Sequence, residues 1–294
     1  MTIRLMVCTL TAMLMCSACE RVEVADERHG EDAEAKTIVA HVGGMVWNWD
    51  DATRVIEANG ETLKELWVFD VVGDSCVLIC KQTEAQDDFG TVSMRLRYGS
   101  HKLAFVCSRG EGSAVDEKSG RIEWTKVRDT FFKSIVIDVV KGGESDMEIV
   151  LSRVVARMRM TIADVITSDV KRLRLSADCW YKGIDVKNGE AIGGLSSVEG
   201  VTEVSSVNVP TAYVGTSKKL AVSMWTIGKS EQWTQTLKVE MLNGDDEVIG
   251  GGDCVGVPMQ RNRVTNVTGY FLSGGKNGNI LVDDSWSDVI DYEF

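Results

Sequence analysis

The stretch VARMRMTI at residues 155–162 decides the fold class. Its even positions carry Ala, Met, Met and Ile, and its odd positions carry Val, Arg, Arg and Thr. This period of two predicts a β-strand with one face in a core and the other in solvent. We interpret Arg153, Arg157 and Arg159 as that solvated outer face, and a ligand site built on these arginines is the alternative.

Short runs with the same character continue along most of the chain. Turn signals separate them, and almost no long helical periodicity is present. Such spacing is typical of an all-β protein with a sandwich architecture. The strand candidates are Ile38–Trp47, Leu66–Val72, Cys76–Lys81, Val92–Tyr98, Lys102–Cys107, Ser134–Val140, Lys171–Trp180, Lys219–Ile227, Trp233–Leu242, Val264–Phe271 and Asn279–Asp283.

Turn residues indicate how some of these runs are connected. Gly99-Ser100 and Asn243-Gly244 each predict a hairpin between the runs that flank them. Arg109 to Arg121 is interpreted as a Gly- and Ser-rich loop, and Trp124 to Phe132 as one or two helical turns. Gly183 to Asn208 is a polar connection longer than compact domains usually keep without a function.

The amino-terminal segment predicts export and lipid attachment. Residues 1–18 combine Arg4, an apolar stretch and small residues before Cys19, as in a lipoprotein signal peptide. Cleavage between Ala18 and Cys19 would leave the Cys19 thiol to carry the lipid, whose chains anchor a protein to a membrane surface. The alternative is an ordinary secretory signal with an incidental cysteine. Residues 19–36 are polar and acidic and predict a flexible tether.

Composition excludes several classes of function. The net charge is −12, with no basic stripe, which argues against a nucleic-acid partner. We find no GxSxG, HExxH or phosphate-loop motif, and therefore expect no enzymatic activity, no cofactor and no metal. Outside the signal and Cys19, an odd number of cysteines remains, which excludes a fully paired disulfide framework and favours small buried hydrophobic residues: Cys76, Cys80, Cys107, Cys179 and Cys254.

Two residue types leave a binding role open. Pairs of carboxylates such as Asp245-Asp246 could bind Ca²⁺, but they lack the spacing of known calcium loops and are interpreted as solvated turns. Tryptophans could stack on sugars, although at strand positions they more often belong to the core. The tryptophans considered are Trp47, Trp49, Trp225, Trp233 and Trp286.

Several stretches together resemble the fimbrillin family, the subunits of type V pili, and most closely its FimB-like anchor or accessory subunits. Their order and spacing span nearly the whole mature chain. The stretches are the lipobox at Cys19; Leu66 to Asp70 with Gly73; Tyr98 to Cys107; Leu151 to Arg153 leading into Val154 to Ile162; and Val257-Pro258 with Arg261-Asn262, Thr265 to Gly269 and Val282 to Trp286.

The resemblance implies two tandem transthyretin-like β-sandwich domains, which we place at residues 37–148 and 149–294. It implies a surface-exposed lipoprotein of the outer membrane that assembles with other fimbrial subunits by strand exchange. Stalk subunits of that family lose an amino-terminal strand to an arginine-specific protease. Arg54 is the arginine here at which such a cut would remove structure.

We therefore expect a lipid-anchored structural subunit of a cell-surface fimbria, with an anchor or accessory role. A host or glycan ligand is a further possible partner. The alternative function is a glycan-binding outer-membrane lipoprotein that uses exposed tryptophans and acidic loops.

Overall fold

A computed structural model of the chain describes residues 35–46, 63–272 and 280–283. Across these residues the structure consists of β-strands and one 3₁₀ turn, Thr211–Tyr213. The predicted all-β fold class is confirmed, and the sheets form a sandwich-like arrangement. The described part of the chain contains no helix long and apolar enough to cross a membrane.

Nineteen strands are described. In chain order they are β1 (Ala35–Val46), β2 (Glu65–Val72), β3 (Ser75–Thr83), β4 (Thr91–Arg97), β5 (Gly99–Ser108), β6 (Glu111–Asp116), β7 (Arg121–Lys126), β8 (Thr130–Val139), β9 (Asp146–Arg153), β10 (Val155–Ile162), β11 (Arg172–Trp180), β12 (Gly183–Asp185), β13 (Glu190–Ile192), β14 (Val201–Asn208), β15 (Leu220–Ile227), β16 (Gln232–Leu242), β17 (Val248–Gln260), β18 (Val264–Gly269) and β19 (Ile280–Asp283).

The first half of the chain builds a seven-stranded sheet in the order β3-β2-β5-β8-β9-β1-β4. One face of this sheet carries a cluster of buried apolar side chains that includes Val68, Phe105, Phe131 and Leu151. The described members of the cluster all come from these seven strands and their adjoining loops. The sheet therefore closes over its own buried face, as one sheet of a sandwich does over another.

The opposite face of the same sheet packs against a small four-stranded sheet, β13-β12-β7-β6. Trp67, Phe69 and Trp124 are buried between them. Strands β12 and β13 come from the second half of the chain, and Ile184 of β12 pairs with Ile122 of β7. Strand pairing thus crosses the boundary predicted between residues 148 and 149, and the division into two domains stays a prediction.

The second half of the chain encloses its own core between the sheets β15-β10-β18-β19 and β14-β11-β16-β17. The even-numbered residues from Ala156 to Ile162 all lie in this core, which confirms the inward face predicted for that strand. Leu173 of β11 and Val239 of β16, in the other sheet, and Phe271, just after β18, belong to the same core cluster. Because these side chains are almost completely removed from water, their burial is a main stabilising contribution.

The two halves share one pattern of strand pairing. Strand β1 pairs antiparallel with β4 and parallel with β9. Strand β10, which opens the second half, pairs antiparallel with β15 and parallel with β18. In each half the opening strand therefore lies between one antiparallel and one parallel neighbour, a topology that needs long-range connections rather than hairpins alone.

Of the two hairpins predicted from turn residues, one is confirmed and one is wrong. The hairpin at Asn243-Gly244 is confirmed, since β16 and β17 pair antiparallel. The hairpin at Gly99-Ser100 is wrong, because β4 pairs with β1 whereas β5 pairs with β2 and β8. Gly99, at φ 133°, lets the chain pass from one part of the sheet to the other. Alternation fixes which face is buried, but not which strand is the neighbour.

Three segments between strands also differ from expectation. The helical turns predicted for Trp124 to Phe132 are wrong, because that segment ends β7 and begins β8. The loop from Arg109 to Arg121 contains β6, and the polar connection from Gly183 to Asn208 contains β12, β13 and β14. Strand β12 pairs with β7 and β14 pairs with β11, so tertiary pairing overrides the weak local signal there. Strands β6 and β13 pair with their chain neighbours β7 and β12.

Candidate binding cleft

The residues predicted for lipid attachment and processing fall outside the described part of the chain. Ala18, Cys19 and Arg54 belong to this group, and their roles stay predictions. Trp47, Trp49 and Trp286 lie outside it as well. The other two tryptophans considered for sugar stacking, Trp225 and Trp233, are half-buried.

The arginines of β9 and β10 are not the solvated face that the alternation predicts. Only 8% of the Arg153 side chain is exposed, and Arg157 is 5% exposed. Arg159, two residues further along, is half-buried. The interpretation is wrong because neighbouring strands and the β17–β18 turn supply covering side chains that the pattern within one strand does not reveal.

Arg157 is held between two strands. In the sheet it lies opposite Trp225 of β15 on one side and Val264 of β18 on the other. Its guanidinium carbon stands 5.2 Å from the centroid of the Trp225 ring, within the range of a cation–π interaction. Its Nη2 donates a hydrogen bond to Ser223 Oγ at 3.1 Å. The guanidinium is thus fixed in orientation against an aromatic wall.

Arg153, the last residue of β9, is held by a different set of partners. Its Nε lies 2.8 Å from Asp129 Oδ1, and its Nη1 donates to Asn262 Oδ1 at 2.9 Å. Its guanidinium carbon is 5.4 Å from the Phe131 ring centroid. Burial lowers the pKa of Arg153 below its ordinary value, although the Asp129 carboxylate acts in the opposite direction.

The carboxylate of Asp129 forms ion pairs with two arginines. Its Oδ2 lies 3.4 Å from Arg109 Nη1, while Oδ1 pairs with Arg153. All three side chains are about nine-tenths buried. Two buried guanidinium groups therefore share this carboxylate, and the triad carries one net positive charge beside the β9–β10 connection.

These side chains border a small open cleft, which we call the arginine cleft. Among the described residues, three arginines, two apolar residues, one indole and one amide line it, and none of these carries a carboxylate. The lining residues are Arg153, Val155, Arg157, Trp225, Asn262, Arg263 and Val264.

The turn between β17 and β18 positions one wall of the cleft. Asn262 has a φ of 57°, a left-handed conformation that asparagine tolerates better than most residues. Its backbone N–H donates to Val155 O at 2.8 Å, and the Arg157 N–H donates to Arg263 O at 3.0 Å. These bonds tie the turn to β10 and place Asn262 and Arg263 beside the buried guanidinium groups.

The cleft offers hydrogen-bond donors rather than catalytic groups. The Trp225 Nε1 atom is buried and has no hydrogen-bond partner among the described residues. Guanidinium groups bind carboxylates through paired charge-assisted hydrogen bonds. The described residues that line the cleft include no histidine, cysteine or serine. No cluster of three or more potential metal-ligating side chains occurs within the ranges that the structure describes.

The sheet β15-β10-β18-β19, which contributes to the cleft, also has an open edge at strand β15. Within the described residues, β15 pairs only with β10. Its sequence, LAVSMWTI, has no charged residue and no proline. Strand β4, at one edge of the seven-stranded sheet, exposes Arg95 and Arg97. Charged residues on an edge strand oppose the addition of another strand, so β15 is the more receptive of these two edges.

Comparisons with known proteins support the fold. A crystal structure of a candidate adhesin from Bacteroides ovatus aligns with a TM-score of 0.55 at 11% identity, covering 85% of this chain and 94% of the other. A candidate polysaccharide-binding protein from Bacteroides thetaiotaomicron aligns with a TM-score of 0.51 at 7% identity, covering 85% and 96%. The fimbrial anchor protein Mfa2 from Porphyromonas gingivalis aligns with a TM-score of 0.47 at 9% identity, covering 84% and 95%.

At these identities the first two likenesses show a shared fold, and the third supports no conclusion. The search of curated proteins gives no match. A family model matches residues 114–293, which is more than half of the chain. The chain therefore belongs to the family of unknown function DUF6562.

Proposed function

We propose that this protein is a lipid-anchored structural subunit of a cell-surface fimbria, with an anchor or accessory role. It takes part in assembly by pairing strands with other fimbrial subunits and carries out no catalysis. The observation that carries the proposal is the uncharged edge strand β15, in a fold shared with a candidate adhesin. The lipoprotein signal at Cys19 adds the means of attachment to the outer membrane.

Strand addition at β15 suits the physical properties of that edge. A neighbouring subunit would form main-chain hydrogen bonds along the open side of the strand, and alternate side chains would set the register. Lys218 and Lys219 directly precede β15, while the edge itself is uncharged. An incoming strand with acidic flanks would be steered to this end of the sheet.

A lysine introduced on β15 tests the assembly role. Ala221→Lys adds a charge to the half-buried outer face of the edge strand, and Ser93→Lys makes the matched change on the exposed face of β4. We expect Ala221→Lys to abolish cross-linking to other surface subunits in native membranes, and Ser93→Lys to leave it intact. Equal cross-linking by both variants, with Ala221→Lys folded, would contradict assembly through β15.

The intact mass of the amino-terminal peptide tests the anchor. A peptide that begins at Cys19 and carries acyl chains supports a lipid-anchored subunit that keeps its amino-terminal residues. A peptide that begins after Arg54 without lipid would instead indicate a processed, polymerising subunit. An unmodified start elsewhere before Ile38 would contradict the lipoprotein proposal.

Glycan binding is a second candidate function. It is favoured by one observation, the indole of Trp225 beside three arginines in an open cleft. Aromatic and polar side chains that converge on a concavity are typical of small-ligand sites. The two functions are compatible, because β15 contributes both Trp225 to the cleft and an open edge to the sheet.

A further inference from the structure

We propose that Asn243 is a site of spontaneous modification, at which the side-chain amide becomes a carboxylate with water as the only co-reactant. The inference goes beyond the proposed function and does not depend on subunit assembly. It rests on a comparison of two Asn-Gly turns, Asn188-Gly189 between β12 and β13 and Asn243-Gly244 between β16 and β17. Of these two turns, the second alone leaves its glycine nitrogen able to react.

The reaction begins when the backbone nitrogen of the glycine attacks Cγ of the preceding asparagine. A bond forms between the Gly244 nitrogen and Asn243 Cγ, the Cγ–Nδ2 bond breaks, and Nδ2 leaves as ammonia with the proton of the glycine nitrogen. Water then opens the cyclic imide at either carbonyl carbon, which gives aspartate or an isoaspartyl linkage. Attack requires the nitrogen and Cγ to approach to about 3–3.5 Å, so the peptide group between the two residues must be able to rotate.

The backbone at Gly189 is fixed against such a rotation. Its N–H donates a hydrogen bond to Asp185 O at 2.8 Å, and its carbonyl oxygen accepts one from Arg261 Nη2 at 3.3 Å. A Cβ at Gly189 would lie 2.6 Å from the Phe132 ring, so the backbone packs closely against an aromatic side chain. Gly189 is also buried. Rotation of its nitrogen toward Cγ of Asn188 would break the hydrogen bond to Asp185.

Gly244 is held far less firmly. It is exposed, a Cβ there would meet nothing within 4 Å, and its N–H and carbonyl oxygen make no hydrogen bond with a described residue. The carbonyl group of Asn243, in the same peptide group as the Gly244 nitrogen, accepts one long hydrogen bond of 3.3 Å from the Asp246 N–H. Water therefore reaches the site, and the nitrogen can turn toward Cγ of Asn243.

The side chain of Asn243 is held in a way that favours attack. Its Oδ1 accepts hydrogen bonds from the backbone N–H groups of Asp245 and Glu247, each at 2.9 Å. Donors directed at that oxygen stabilise the negative charge that it gains when Cγ is attacked. At Asn188, Oδ1 accepts one bond from a described residue, from the Glu190 N–H at 3.1 Å.

The product changes the charge of the turn. Asn243 Nδ2 donates a hydrogen bond to Glu247 Oε2 at 2.9 Å, and after the reaction two carboxylates face each other there. Asp245 and Asp246 belong to the same turn. Like charges at this separation repel, so the turn between β16 and β17 is weakened once the amide is lost.

Incubation of the folded protein at pH 8 and 37 °C tests the proposal. Peptide mass spectrometry reports the conversion of each asparagine, and labelling by an isoaspartyl methyltransferase reports the rearranged product. We expect conversion at Asn243 to be at least about tenfold faster than at Asn188. Equal rates at the two sites, or faster conversion at Asn188, would overturn the proposal.

The same incubation in 6 M guanidinium chloride separates structure from local sequence. Both sites are then Asn-Gly in an unfolded chain, so we expect the two rates to become similar. A difference of tenfold that persists in the denaturant would assign the selectivity to the flanking residues, and the proposal would fall.

Gly244→Ala tests the attack by the glycine nitrogen. The position has room for a Cβ, so the fold should survive, and urea denaturation verifies that it does. A methyl group beside the nitrogen hinders its approach to Cγ, and we expect conversion at Asn243 to slow by about tenfold or more. Conversion at Asn188 is the internal control and should not change. Unchanged conversion at Asn243 in folded Gly244→Ala would contradict the mechanism.

Discussion

Trp67 and Trp124 pack edge to face, with ring centroids 6.0 Å apart and ring planes inclined by 73°. Trp67 belongs to β2 of the seven-stranded sheet, and Trp124 belongs to β7 of the small sheet. Both rings are almost fully buried. Since β7 also pairs with β12, this contact lies where the two halves of the chain meet. Buried aromatic pairs of this geometry stabilise beyond their buried area.

Truncating Trp124 should destabilise the protein strongly. Trp124→Ala removes one of the two rings in this contact and leaves a cavity between the two sheets. We therefore expect the free energy of unfolding to fall by about 3–5 kcal/mol. Urea denaturation followed by circular dichroism measures the effect. Trp233→Ala, which truncates a half-buried tryptophan, is the control and should lower the free energy of unfolding by less. A loss below about 1 kcal/mol for Trp124→Ala would show that the site collapses around the deletion.

Gly110 should not tolerate a side chain. A Cβ at this position would overlap the indole of Trp124 at Cδ1, Cγ and Nε1. We expect Gly110→Ala to cost about 1–3 kcal/mol through overpacking, measured by urea denaturation. Gly244→Ala, where a Cβ meets nothing within 4 Å, is the matched control. In the double variant Gly110→Ala with Trp124→Leu, the cost should be less than additive, and strict additivity would rule out a clash between the two residues.

Removing the charge of Asp129 should lower the stability of the protein, because Arg109 and Arg153 are buried close to each other. Asp129→Asn removes the carboxylate that both guanidinium groups share, and breaking a buried pair typically costs about 3–5 kcal/mol. Thermal and urea unfolding at pH 7 measure the loss. Asp146→Asn removes the exposed partner of His41 and should change stability little. Equal effects of the two substitutions would contradict the arrangement around Asp129.

Stability should fall in acid partly through Glu240. Hydrogen bonds from Arg174 and then Lys238, each at 2.7 Å, hold the pKa of the Glu240 carboxyl below its ordinary value. A depressed folded-state pKa stabilises the protein above the unfolded pKa, which is about 4.3, and this contribution is lost as the pH falls through the folded value.

The test compares melting temperatures of the parent and Glu240→Gln between pH 6 and pH 3. We expect the parent to be the more stable at pH 6 and the difference to shrink steadily in acid. A difference that stays constant with pH would mean that Glu240 does not titrate with folding.

The buried cysteines should be unreactive in the folded protein. Cys107 and Cys254 are both free and buried, and burial raises the pKa of each thiol to about 12. Because the thiolate is the reactive species, we expect little alkylation of either residue by iodoacetamide at pH 8. Both should react readily in 6 M guanidinium chloride. Peptide mass spectrometry reports each site, and rapid native labelling of Cys254 would contradict its burial.

Local sequence patterns predicted which segments form strands better than they predicted what packs against each strand. The alternation in residues 155–162 correctly gave the face of β10 that lies in the core. The same rule failed for Arg153 and Arg157, since a residue that faces away from one core is exposed only if nothing else covers it. Asn262 is 109 positions from Arg153, and Ser223 is 66 from Arg157. No signal within a single strand reports contacts at that separation.

The amino-acid sequence by itself determined the all-β class and the inward face of β10, because side-chain alternation is a local consequence of strand geometry. Residues 1–18 also predict export as a linear segment, and this stays a prediction. The tertiary structure alone decided that β4 pairs with β1 rather than β5, that β12 pairs with β7, and that arginines from β9, β10 and the β17–β18 turn border one cleft. Those outcomes depend on which distant surfaces bury each other, and that choice is made by packing of the whole chain.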